Sequence, residues 1–173
     1  LLGKVLVRVI NGRRVSGIIV ETEAYFGSED PASRARRGGD LAKTMSGDVG
    51  RALIYGIHRK WLFNVVAHEE GNVGAILTRA LQPLEGIDVM MKLRRVSNIK
   101  NLTNGPGKLT EAMAIDKRFH KVPLYLEDSE LRIEYGIEVS KDNIGRSHRI
   151  GVSEDLPIPL RFYIKDNEFV SKY

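Results

Sequence analysis

Cysteine is absent from the 173-residue chain, and with it go disulfides, thiol nucleophiles and zinc ribbons. The absence fits a reducing compartment. No apolar run approaches the ~18 residues of a membrane span, and no charged-then-apolar leader opens the chain, so neither a membrane anchor nor a signal peptide is expected. Six prolines and 17 glycines, without any period, exclude collagen-like and Pro-rich low-complexity sequence. Histidines at 58, 68, 120 and 148 are too scattered to place two ligands on one helix turn, and read as surface or packing residues. A G-x-S-x-G elbow, a P-loop and a G-x-G-x-x-G turn are all missing. Nothing points to a metal, a nucleotide or any other cofactor.

What remains is ordinary globular material, 42 % hydrophobic and 28 % charged, and long enough to bury a core without staples. One domain over residues 1–173 is expected. The chain opens at Leu1, inside the apolar run LLGKVLVRVI, and its numbering is expected to begin part-way into the natural chain. Basic residues outnumber acidic ones by 27 to 22, a net charge of +5. Three clusters stand out: Arg34, Arg36 and Arg37; Lys92, Arg94, Arg95 and Lys100; Lys117, Arg118 and Lys121. Each alone is as well explained by a solvated face. Three together raise the nucleic-acid reading somewhat but do not by themselves settle it.

Val5, Val7 and Val9 alternate with other residues in the period-two pattern of a half-buried strand. Asn11-Gly12 is a hairpin signal, and Val15–Tyr25 reads as the returning strand. Residues 26–50 show almost no periodicity and read as one long loop, a length more often functional than decorative. Strands are expected at Ala52–Ile57, Trp61–Ala67 and Gly74–Leu81. Pro83 then opens a helix with Leu84, Ile87, Val89-Met90-Met91 and Leu93 toward the core and Lys92, Arg94 and Arg95 outward. A second helix follows Gly105-Pro106-Gly107-Lys108, and the tail offers strands at Leu131–Tyr135, Arg149–Val152 and Arg161–Ile164. No repeat or linker divides the chain, so the reading is a single α+β domain with mainly antiparallel strands.

The second strand ends in IVETEAY. Glu21 and Glu23 share one strand face by parity, and carboxylates in an Ile/Val-rich strand need an explanation. One account is an exposed face, or pairing with an arginine such as Arg79. The other is a carboxylate at the end of a rigid strand, acting as general base on water, with Tyr25 as a flat wall for a planar substrate. Gly105-Pro106-Gly107-Lys108 suits either a phosphate-sized anion at a helix start or an ordinary N-cap on Thr103 or Asn104. Tyr55, near Trp61, is either core or an exposed wedge of the kind that holds open a base stack.

Taken together, VETEAYFGSEDPAS, LIYGIH, the strand holding Asn64, TRALQPLEG, NGPGKL and the closing LRFYI resemble the alkyladenine, or 3-methylpurine, DNA glycosylase family. The matching segments run in order from the first hairpin to Ile164. The resemblance implies a curved, mainly antiparallel sheet with a β-hairpin wedge and flanking helices. It also implies a monomeric, cofactor-free, monofunctional enzyme of base excision repair. Such an enzyme flips alkylated purines of the 3-methyladenine and 7-methylguanine type from double-stranded DNA and hydrolyses the N-glycosidic bond with a Glu-activated water. It would work inside the cell with the DNA, in the cytoplasm or nucleoid of a prokaryote or the nucleus of a eukaryote. Carried over residue by residue, the general base falls on Glu23, the base-stacking ring on Tyr25, and the intercalating wedge on Tyr55. The water-positioning arginine falls on Arg79, the pocket asparagine on Asn64, and backbone contacts on Gly105, Gly107 and Lys108. Arg34 stands in the base pocket where the family usually has histidine. The stretch from Gly50 to Leu53 is shorter than the family's tyrosine-rich one, and IHRKWLFN is longer, so activity on neutral lesions is not carried over.

Two other classes are weighed beside this one. A module on the same scaffold could bind lesions or nucleic acid without chemistry. A carbohydrate hydrolase could use Glu21 and Glu23 as its pair, but acids on one strand face point the same way, whereas that chemistry needs them across the bond.

Overall fold

The first turn follows from its two residues. Asn11 and Gly12 take positive φ, 50° and 74°, as a tight turn between right-twisting strands demands. They join β1 (Val5–Ile10) to β2 (Arg13–Tyr25), with Val5 opposite Ile18 and Ile10 opposite Arg13. The computed structural model describes residues 1–171, so the end of the domain expected over 1–173 lies outside the described residues. The chain continues through α1 (Gly39–Met45), β3 (Ala52–Ile57), β4 (Lys60–Val66), β5 (Ala75–Glu85), α2 (Ile87–Arg94) and α3 (Pro106–Ala112). It closes with β6 (Leu131–Glu134), β7 (Ile144–Ser147) and β8 (Arg161–Ile164).

The described strands form one antiparallel sheet in the order β3-β4-β5-β2-β1-β6, curled into a half-barrel, which makes the molecule a single α+β domain. β2 organises it. Its first half pairs with β1, and at Glu21–Glu23 β8 takes over that edge, while β5 runs along the other. The strand expected to be half-buried over Val5–Val9 is covered on both faces. Leu6, Ile19, Phe63 and Leu81 pack with Met90 of α2 and Leu109 of α3. Val5, Val7, Ile18 and Val20 pack around Phe169 on the other side. Each fully buried side chain of this kind is worth roughly 1.5–3 kcal/mol, so two sealed faces fix the register of β1 and β2 firmly.

Four expectations are corrected. β5 continues through Pro83 to Glu85, and α2 starts only at Ile87, because Gln82 and Pro83 still pair with Ile18 and Gly17. The missing Pro N–H is tolerated beside a register irregularity at Ser16/Gly17. Leu84 and Leu93 are consequently exposed, whereas Arg94 turns inward to Glu111 at 2.6 Å. The 26–50 loop is built rather than open, holding a 3₁₀ turn at Arg34–Arg37 and then α1. Arg149–Val152 is no strand; the Arg149 amide bonds to Asp155, and Ile144–Ser147 pairs with β8 instead. α3 is capped by Gly105 without a side-chain bond, since Thr103 donates to the Leu81 carbonyl and Asn104 accepts from Lys108.

Candidate active site

The site forms where β2, β5 and β8 meet. Register shifts at Ile19/Glu21 and Glu21/Thr22 leave Val20 and Arg79 without strand partners. Such bulges re-aim side chains, and here Arg79 reaches both acids of ETEAY, with Nε 2.9 Å from Glu21 and Nη1 3.2 Å from Glu23. The shared face read from parity and the expected Arg79 partnership are both present.

The two carboxylates differ in what surrounds them. Glu21 accepts from Arg79, from Arg161 Nε at 2.7 Å, and from the Ser171 amide and hydroxyl at 2.7 and 2.8 Å. Burial opposes its ionisation, but bonds from Arg161 and Ser171 and the charge of Arg79 prevail and hold its pKa below the usual value. Glu21 is thus a saturated structural anion. Glu23, equally sealed at 0 % exposure, accepts from the Ile150 amide and the Tyr25 hydroxyl, both at 2.7 Å, besides facing Arg79. A carboxylate has room for about four donors. Three groups leave Glu23 capacity for a water.

These three partners separate Glu23 from an open cavity of about 650 Å³ and also line it, with Arg34, Arg36, Arg37, Tyr55, His58 and Pro106 around them. A recess of about 10 Å³ runs deeper between Tyr25, Arg34, Tyr55 and Asn64. Asn64 is buried and donates to the Leu53 carbonyl at 3.0 Å. Burial first, then the Glu23 charge and hydrogen bond, push the Tyr25 hydroxyl far above its ordinary pKa, so it stays a donor. Burial raises Tyr55 as well. Tyr55, expected as a wedge, is placed in the cavity wall. The exposed hairpin tip is instead His58-Arg59, both left-handed at φ 48° and 64°. The two-residue turn between paired Ile57 and Lys60 demands that conformation, as at Asn11-Gly12. Thr110 of α3 donates to the Trp61 carbonyl at 2.8 Å and Lys60 pairs with Glu111 at 3.0 Å, holding the tip. Gly107 packs on Lys60, and Lys108 is half-buried on Asn104, beside Pro106 at the cavity rim.

Sequence reasoning missed Arg149. Its side chain is fully buried, bonded to both oxygens of Asp30 at 2.6 and 2.7 Å and to Asp155, and its Cζ lies 4.5 Å from the Tyr25 ring centroid. Burial acts to strip its proton, but Asp30 and Asp155 more than offset that. Arg149 therefore backs Tyr25 and carries the Ile150 amide to Glu23. The nearby Asp155, six residues on, was its only local signal; Asp30, 119 residues away, leaves no local pattern.

The site thus sets one carboxylate with spare acceptor capacity behind an aromatic cavity with a basic rim. The sequence model of the methylpurine-DNA glycosylase family matches residues 1–168, and the chain belongs to that family. Among relatives, an Aeropyrum pernix protein provisionally named 3-methyladenine DNA glycosylase is 46 % identical over 174 residues, covering 99 % of this chain and 84 % of its own length. Similarly named proteins of Clostridium tetani and Prosthecochloris aestuarii are 43 % and 40 % identical, each across 99 % of this chain and over 91 % and 83 % of their own. Among the described residues no helix is long and apolar enough to cross a membrane.

Proposed function

We propose that the chain is a monofunctional DNA glycosylase that takes an alkylated purine out of duplex DNA and hydrolyses its N-glycosidic bond. The observation that carries the proposal is Glu23, a sealed carboxylate gripped by Arg79, Tyr25 and the Ile150 amide at the edge of an aromatic cavity. Glu23 orients and deprotonates a water and stabilises positive charge developing on the sugar. Arg79 fixes the carboxylate while Glu21 neutralises its guanidinium. N3- or N7-methylation makes the purine a cationic leaving group, so no acid or cofactor is needed to expel it. No lysine lines the cavity among the described residues, which favours hydrolysis over a lyase step.

Tyr25 and Tyr55 supply the walls between which the base stacks, with Asn64 at the floor. The recess is far smaller than a purine, so the tyrosine rings part to admit one. The strapped hairpin tip at His58-Arg59 enters the duplex in place of Tyr55. Gly105, Gly107 and Lys108, next to it, face the DNA backbone together with Arg36 and Arg37. The protein acts as a monomer, wherever the cell keeps its DNA.

The burial of Glu23, 0 % exposed behind its three partners, favours a second reading, a lesion binder without chemistry. Incubation with alkylated duplex DNA separates the two. Release of 3-methyladenine or 7-methylguanine with one abasic site per base and no strand break supports the enzyme; tight, salt-sensitive binding without abasic sites supports the binder.

A further inference from the structure

Four arginines line the aromatic cavity, with Arg36 and Arg37 exposed at its rim and Arg34 and Arg79 further in, and Arg149 backs its Tyr25 wall; of the inner three, two are neutralised. Arg79 faces Glu21 and Glu23 at 2.9 and 3.2 Å, and Arg149 faces Asp30 and Asp155 at 2.6 and 2.7 Å. Arg34 makes no ion pair with a carboxylate among the described residues; its Cζ lies 5.2 Å from the Tyr55 ring centroid. It lines both the open cavity and the deeper recess that holds Asn64.

Arg34 is held there by a fastened turn. Asp30 accepts from the Phe26 and Ala32 amides, both at 3.0 Å, while Arg149 grips its two oxygens. Ser33 donates to the Phe26 carbonyl at 2.6 Å and caps the 3₁₀ turn by accepting from the Ala35 amide at 3.1 Å. Arg34 is the next residue, so the turn presents its charge at the cavity wall.

The consequence is electrostatic. A tyrosine face attracts a cation through the negative face of its quadrupole. Each of the two tyrosine walls already has a guanidinium over its ring, Arg149 at Tyr25 and Arg34 at Tyr55. The pair at Tyr25 carries no surplus positive charge, because Asp30 and Asp155 balance it. At Tyr55 a second cation gains little from the ring and is repelled by Arg34, in a site partly shielded from water.

Resting on the glycosylase reading above, we infer that Arg34 sets the charge preference of the base pocket, weighting it against purines with a fixed positive charge and toward neutral ones. Bond cleavage runs the other way, because a cationic purine leaves more readily. Binding and chemistry therefore pull in opposite directions across a set of lesions.

The test compares equilibrium affinities for duplexes bearing a single 7-methylguanine or a single hypoxanthine, at mildly acid pH, where 7-methylguanine stays cationic. Both lesions sit on 2′-fluorinated sugars, so that no base is lost during the measurement. Arg34→Gln keeps a planar polar group without charge, and Arg34→Lys keeps the charge without the plane. A lost phosphate contact lowers both affinities alike and cancels in their ratio. The ratio of 7-methylguanine to hypoxanthine affinity is expected to rise about tenfold in Arg34→Gln and to stay within about twofold of wild type in Arg34→Lys. An unchanged or falling ratio in Arg34→Gln overturns the inference. An equal rise in Arg34→Lys does so too, by making shape the cause. Base release from the unfluorinated duplexes is scored in parallel: silence of the wild type there counts against the glycosylase reading, while the affinity ratio still judges Arg34.

Discussion

Two glutamates two positions apart on one strand sit in different surroundings, and those decide what each can do. Glu21 is saturated by two arginines and Ser171, whereas Glu23 retains acceptor capacity beside a cavity. Arg149 supports that difference from behind. Breaking a buried pair by removing one partner costs about 3–5 kcal/mol, because the other charge is left uncompensated. Arg149→Met should therefore lower unfolding free energy by about that amount in urea titrations, and the Asp30→Asn/Arg149→Met double variant should recover part of it. If the single variant unfolds like wild type, the Asp30–Arg149 pair contributes nothing to stability. Parity made the acids legible in the sequence, since strand period alone puts both on one face. The difference between them was not legible, because it depends on Arg161 and Arg149, which the topology delivers from more than a hundred residues away.

At the scale of elements, the β3–β4 hairpin sets Tyr55, expected from the sequence as the wedge, apart from the turn. The tyrosine ring belongs to the cavity wall, and the hairpin tip, His58-Arg59, stands in solvent. Tyr55→Ala should reduce base release by a similar factor from duplex and single-stranded substrates, since it removes a stacking face. His58→Gly should reduce release from duplex alone, and should at the same time stabilise the fold by up to about 1 kcal/mol by relieving a left-handed residue. A duplex-specific defect in Tyr55→Ala would return the wedge to Tyr55. The hairpin itself was plain in the pattern of Ala52–Ile57 and Trp61–Ala67. Its turn was legible too, because strands ending at Ile57 and resuming at Trp61 leave residues 58–60 between them, and pairing of Ile57 with Lys60 narrows the tip to His58-Arg59. The place of Pro83 was not legible: local propensity favoured a helix start, and sheet pairing with Gly17 overrode it. In the 26–50 segment, order comes from Asp30 and Ser33 bonding the backbone, which leaves no hydrophobic period to read.

Over the whole molecule, charge bears on stability and on the proposed DNA binding. Glu21, Asp30 and Asp155 all have native pKa values below their ordinary ones, so the unfolded chain binds more protons in acid. Their contribution is fully present above about pH 4.5 and drains away as the pH falls through the depressed native values. Thermal scans should show stability flat near neutrality and falling below about pH 4.5, with the acid slope shallower in Asp30→Asn. A slope unchanged in that variant would remove Asp30 from the explanation. The net charge of +5, with Arg36 and Arg37 exposed at the cavity rim, also predicts salt-dependent DNA affinity. Arg36→Gln should flatten the log–log salt slope by about 1 if that side chain meets a phosphate, and should leave lesion discrimination unchanged.

The central claim is that Glu23 performs the chemistry in a pocket that binds independently of it. Base release from alkylated duplex DNA, measured as abasic sites for wild type beside Glu23→Gln, tests it most directly when affinity for an abasic-site duplex is measured on the same samples. The account predicts release by wild type, a loss of about 10²–10⁴-fold or more in Glu23→Gln, and abasic-site affinity within a few-fold of wild type. Undiminished release in Glu23→Gln, or affinity and release lost together in that variant, would contradict it.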